Sequence, residues 1–250
     1  VQESLLEKPA QGWNERQERK ESKAASIIGM DIDGHIAELT AKLIAATGIQ
    51  QYETKLRDNA VNEGKLEDLL SEGRAAAMFL DHGWQVVLRD SPDLQITFDG
   101  DVIYAEVKRF RQKEQDKLND EAMSGVSGRS LALMPDVTES EGMAAWEQCV
   151  QVAIKKASQY MEGAANILVV ESDSDCLELT ASSIVREYDS KAFASTDRRL
   201  RRLDGIMLVN KGWATCGAFP SNVEFCQTRY VSVPLGDRVA TALRSSIRLG

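Results

Sequence analysis

Histidine is scarce, with only His35 and His82 in 250 residues. A reaction that needs an imidazole base has little to draw on. His82 lies in "LDHGW", just before Gly83, and reads as the end of a helix. Cysteine is sparse as well. Cys149, Cys176, Cys216 and Cys226 include no C-x-x-C pair, which argues against a zinc site or a disulfide framework. No stretch approaches the ~18 consecutive apolar residues of a membrane helix. The opening "VQESLLEKPAQGWNERQERKESK" has no apolar run of the signal-peptide kind. A cytoplasmic protein with no membrane partner is the expectation. Positive charge is also in deficit. The formal net charge is −9 and the sequence pI about 4.9, which counts against broad, nonspecific nucleic-acid binding. Two local clusters run against that sign: "KRFRQK" (Lys108 to Lys113) and "RRLRR" (Arg198 to Arg202).

What is present suffices for one sizeable core, since 43% of residues are hydrophobic. Residues 1–60 read as a polar tail with a helical extension, and 61–250 as the main domain. "HIAELTAKLIAATG" has helical spacing, with Gly48 as its stop. "EGKLEDLLSEGRAAAMFLDHG" is a strong helix with an apolar stripe at Leu66, Leu69, Leu70, Gly73, Ala77 and Leu80, and with Glu72 beside it. "WQVVL" reads as a strand. A second strong helix covers "TESEGMAAWEQCVQVAIKKASQYMEG". Thr138 and Glu141 have capping-box spacing there. Trp146, Cys149, Val150, Ala153, Ala157, Tyr160 and Met161 form its expected buried face. "NILVV" follows as a buried strand, "SSIVREYDS" as a third helix, and "DGIMLVN" and "TRYVSVPL" as final strands. This order predicts an α/β fold with a mixed central sheet flanked by helices.

The stretch "SPDLQITFDGDVIYAEVKRF" is the most informative. It reads as a hairpin about an Asp-Gly turn. Alternation puts Leu94, Ile96 and Phe98 on one face with Ile103, Ala105 and Val107. Asp93, Glu106 and Lys108 then share the opposite face. A turn at Asp99-Gly100 sets Asp93 across from Glu106; a turn at Gly100-Asp101 sets it across from Lys108. Either register keeps the three charged groups together. Two adjacent carboxylates repel unless something positive lies between them. Oxygen ligands without imidazole favour magnesium or manganese. Such an ion can activate water and polarise a phosphoryl oxygen. Lys108 could orient that water or stabilise developing charge. The competing reading is a solvated edge hairpin with cross-strand ion pairs.

Pro92-Asp93 followed by Glu106-Val107-Lys108, in this helix and strand context, resembles the signature of the PD-(D/E)XK nuclease superfamily. The resemblance covers roughly Gly64 to Val170. It implies a restriction-endonuclease-like fold and a metal-dependent nuclease acting on phosphodiester bonds, with DNA favoured over RNA. Asp93, Glu106 and the Val107 carbonyl would hold Mg2+ or Mn2+. Lys108 would assist water or the transition state. Glu72, with Glu67 as competitor, would support a second metal or a water. Gln159 on the following helix would face the site, with Lys155 as its alternative. The long interval after Lys108 departs from the family pattern. Arg109, Arg111 and Lys113, and Arg198, Arg199, Arg201 and Arg202, are candidate phosphate contacts. Their competing role is ordinary charged surface. The glycines of "SGVSGRS" lack the lysine and flanks of a P-loop. A homodimer through the N-terminal extension would serve cleavage of both strands. The rival is a non-catalytic nucleic-acid- or protein-binding module of the same fold.

Overall fold

The computed structural model describes residues 32–110, 145–172, 180–210, 222–231 and 235–245. The chain divides into two units, Val1–Glu38 and Leu39–Gly250. Of the first, only residues 32–38 are described; they open helix α1 (Ile32–Lys42). The Thr138–Glu141 capping box, "SGVSGRS", Arg111, Lys113, Cys176 and Cys216 lie outside the described residues.

In the second unit, α2 (Ile49–Asp58) and α3 (Glu63–Asp81) lead into β1 (Gln85–Leu88), β2 (Leu94–Phe98) and β3 (Asp101–Phe110). After them come α4 (Ala145–Lys155), β4 (Ala165–Ser172), α5 (Ala181–Ala194), β5 (Gly205–Asn210), β6 (Asn222–Gln227) and α6 (Asp237–Ser245). The strands form one six-stranded mixed sheet in the order β1 to β6. β1, β2 and β3 form an antiparallel meander. β4 and β5 continue it in parallel, and β6 turns antiparallel again.

Local chemistry explains the boundaries. The Asn62 side chain accepts the Lys65 amide at the start of α3. His82 closes that helix, its Nδ1 lying 2.7 Å from the Met78 carbonyl. Trp84 follows and stacks on Phe98, with ring centroids 4.7 Å apart. Asp99 and Gly100 both take positive φ, 51° and 92°. That is the two-residue turn whose twist matches a hairpin. It sets Phe98 opposite Asp101 and Leu94 opposite Ala105.

Alternation along the strands, together with one ion pair, identifies the layers. Arg74 on α3 donates two hydrogen bonds to Glu171 of β4, at 2.7 and 3.0 Å. Glu171 pairs with Arg109 of β3, so the odd-numbered side chains of both strands face α3. Ile103, Ala105, Val107, Ile167 and Val169 are buried. Each large aliphatic among them contributes roughly 1.5–3 kcal/mol relative to exposure. The even-numbered Leu168, Val170, Ile206 and Leu208 pack with Cys149, Val150 and Ala153 of α4, and with Ile184, Val185 and Tyr188 of α5. The helices therefore cover both faces, the mixed α/β arrangement expected from the element order.

Two expectations are corrected. Among the described residues the last strand is Asn222–Gln227, and Thr228 to Val231 of "TRYVSVPL" are not strand, with a turn at Arg229 and Tyr230; residues 232–234 lie outside the described residues. The Thr228 amide donates to the Asp204 carbonyl at 2.9 Å, one last pairing in the β5–β6 register before the chain turns. Trp146 and Met161 are also misplaced, being 37% and 38% exposed. The α-helix ends at Lys155 and tightens into a 3-10 turn, Lys156–Ser158. Trp146 lies in the first turn of α4 and Met161 beyond the 3-10 turn, so both fall at the ends of the buried stripe, while Ala157 and Tyr160 between them are buried as expected.

Candidate active site

The site forms where β2 stops and β3 continues. The last β2–β3 pair is Leu94 with Ala105, whereas β3 runs on along β4 to Phe110. The edge of β3 turned toward β2 thus loses its partner strand beyond Ala105. Asp93, just before β2, fills the gap with its side chain. Its Oδ2 accepts the Val107 amide at 2.8 Å, and its own carbonyl accepts the Arg89 amide at 2.9 Å. The Asp99-Gly100 register places Asp93 across from Glu106, the first of the two alignments open from sequence.

Asp93 is 8% exposed and Glu106 1%. The two carboxyl groups are within hydrogen-bonding reach of each other. Lys156 answers part of the negative charge. Its Nζ donates to Glu106 Oε2 at 2.7 Å. Glu106 Oε1 is buried and has no hydrogen-bond partner. The facing Asp93 carboxyl can satisfy it only when one of the two acids is protonated. Burial, then the negative charge of Asp93, raises the Glu106 carboxyl above the ordinary carboxylate range; Lys156 opposes the shift without cancelling it.

Glu72 enters from α3. Burial pushes its carboxyl up to about 7, helped by Asp93 and opposed first by Lys108, then by Lys65 and Lys55. Glu72, Asp93 and Lys108 therefore share one electrostatic field. Glu67, its competitor, is directed elsewhere, with Oε2 lying 3.8 Å from Arg109 and 3.9 Å from Arg74. Lys108 is half-buried and follows Glu106 by two residues, on the same face of β3.

Val107 contributes its amide to Asp93, while its side chain is buried on the α3 side. Gln159 caps the 3-10 turn, and its Oε1 is buried without a hydrogen-bond partner. Lys155 is exposed. The cation that reaches Glu106 from this segment is Lys156. Sequence reading missed it by weighing only Gln159 and Lys155 for the inward position. Its signal was its spacing, seven residues after Cys149 and three after Ala153 on the buried stripe.

The basic clusters divide. Arg109 points to the α3 side, away from the face bearing Glu106, and meets Glu67. "RRLRR" is a 3-10 turn. Arg199 pairs with Asp197 and Arg202 with Glu162, while Arg201 lies over the Tyr230 ring. Arg198, Arg199 and Arg201 are exposed.

Among the described residues, no group of three or more His, Cys, Asp or Glu side chains is arranged to hold a metal ion. The oxygens suited to one are those of Asp93 and Glu106. An all-oxygen pair with a buried, unsatisfied acceptor fits a hard divalent cation, the role such a cation plays between like charges. Comparison with protein-family models, with curated proteins and with solved structures finds no match to this chain.

Proposed function

We propose that this chain is a metal-dependent nuclease on a restriction-endonuclease-like scaffold, hydrolysing phosphodiester bonds with DNA as the favoured substrate. The observation that carries the reading is the side-by-side placement of Asp93 and Glu106, two buried acids, where β2 leaves β3. A fold gains no stability from two adjacent buried carboxylates.

Asp93 and Glu106, with the Val107 carbonyl, would hold magnesium or manganese. Such an ion, when bound, supplies a water of lowered pKa and a Lewis acid for a phosphoryl oxygen. Lys108 would orient that water or stabilise charge growing on the phosphate. Glu72, with its carboxyl at about 7, has the proton affinity of a group able to exchange protons near neutral pH. Arg198, Arg199 and Arg201 remain candidate backbone contacts, and cutting a duplex would call for a second copy of the chain.

A second reading has support of its own. Lys156 already neutralises one oxygen of Glu106, as a non-catalytic nucleic-acid- or protein-binding module would require. One assay separates the two. Linear, supercoiled and single-stranded DNA, and RNA, are incubated with the chain in magnesium, manganese or chelator. Cleavage that depends on metal and disappears in Glu106→Gln supports the nuclease. Binding without cleavage in every metal supports the module.

A further inference from the structure

We propose that Lys156 is a built-in competitor of the divalent cation: its ammonium holds Glu106 Oε2 and so sets how tightly an ion binds at Oε1 and Asp93. This rests on the nuclease reading and deepens it.

Three observations converge. Lys156 Nζ lies 2.7 Å from Glu106 Oε2 in an ion pair whose side chains are 18% and 1% exposed. Water therefore screens the pair little. Glu106 Oε1, the other oxygen of the same carboxylate, is buried without a partner. Asp93, the next acid, gives Oδ2 to the Val107 amide, so its remaining oxygen and Oε1 are the acceptors still available. One carboxylate is thus divided between a resident cation and the place for a second.

Two positive charges on one carboxylate repel. The effect is a coupling between sites, and coupling is reciprocal: whatever Lys156 costs the ion, the ion costs the Lys156–Glu106 pair. Lys156 also holds Glu106 in position while no ion is bound. It is therefore a positioning residue, placed so that the carboxylates can approach each other without metal. Its presence weakens the ion and stabilises the empty site in the same act.

The test measures binding of Mn2+ alone to the full chain, by calorimetry at one fixed pH above neutrality, with thermal unfolding in parallel. Lys156→Gln keeps a donor to Glu106 and removes the charge. Lys156→Arg keeps the charge. The expected result is a Mn2+ dissociation constant lower by about fivefold or more in Lys156→Gln, at the low end of usual coupling between sites. Lys156→Arg should stay near wild type. The thermal shift on adding saturating Mn2+ should be larger in Lys156→Gln than in wild type, because the ion replaces the lost cation. A role limited to structure would lower stability in Lys156→Gln and leave the Mn2+-induced shift unchanged. Equal Mn2+ affinity in wild type and Lys156→Gln, with binding abolished by Glu106→Gln, overturns the competitor and leaves the nuclease reading intact. No Mn2+ binding in any variant overturns both. If Lys156→Gln folds only with Mn2+ present, the competition is directly visible.

Discussion

The Asp93 carboxylate and the Val107 amide meet at 2.8 Å where β2 ceases to pair with β3. Asp93 therefore has a structural duty separate from any charge. Asp93→Asn can still accept that amide through its carbonyl oxygen and should keep the fold. Asp93→Ala leaves a buried N–H unpaired and should cost about 1–3 kcal/mol. Urea unfolding of the two variants at one pH measures the difference. Equal stabilities would assign the Val107 amide another acceptor.

Glu72 makes the folding of the metal-free chain sensitive to pH. Its carboxyl lies at about 7 when folded, against 4.5 as the ordinary value. Between those values the folded chain holds a proton that the unfolded chain releases. Its stability contribution is therefore fully present below about 4.5 and lost as pH rises through about 7. Glu72→Gln should be more stable than wild type above pH 7, with a flatter stability–pH profile in between. Chemical denaturation across that range, in chelator, reads both.

Lys108 tests chemistry apart from binding. Charge on a scissile phosphate grows only as the bond breaks, so an ammonium beside it acts mainly in the transition state. Lys108→Met should lower single-turnover cleavage by a factor on the order of 10² or more. Affinity for the nucleic acid should change far less, since many phosphate contacts share it. Wild-type cleavage by Lys108→Met would remove Lys108 from the mechanism. The same substitution should raise the Glu72 carboxyl further, because Lys108 opposes its upward shift. Carboxyl-carbon NMR titration reads that change without any substrate.

Gly73 is the packing constraint beside Glu72. A Cβ at this position would overlap the Tyr52 hydroxyl and come within 2.7 Å of Leu39 Cδ2. Tyr52 is itself held by a hydrogen bond to the Leu69 carbonyl. Gly73→Ala should destabilise the chain by about 1–3 kcal/mol through overpacking, despite the better helix propensity of alanine. Tyr52→Phe in that background should recover part of the loss by removing the nearest atom. Thermal melts of the single and double variants provide the cycle.

The hairpin was the most legible part of the chain. Two-residue alternation placed Asp93, Glu106 and Lys108 on one face, and the conformational demands of Asp99-Gly100 selected between two registers. Lys156 was illegible for a physical reason. Helical spacing sets it on the buried stripe, seven residues after Cys149, but nothing in the sequence says which acid of β3 it reaches across 50 residues. Met161 is partly exposed because it lies past the end of the 3-10 turn, where helical spacing no longer applies. β6 was missed because "NVEFCQ" offers only Val223 and Phe225 as buried apolar residues, whereas the valines and leucine of "YVSVPL" give a stronger strand signal. Choosing Glu72 over Glu67 required knowing which acid the arginines of α3 and β3 would engage.

The two contacts that hold the acids in place differ in the length of chain they close. Asp93 reaches Val107 across 14 residues, within a meander of neighbouring strands, while Lys156 reaches Glu106 across 50. Loop closure alone costs the longer contact about 1 kcal/mol more, and parallel pairing of β3 with β4 is of the slow, non-local kind. During refolding the acids should therefore be brought together before their cation arrives. Pulse-labelled hydrogen exchange should find the Val107 amide protected ahead of the β4 amides. In that interval the hairpin carries its own like-charge repulsion unrelieved, so divalent ions in the refolding buffer should accelerate a step that precedes any catalysis.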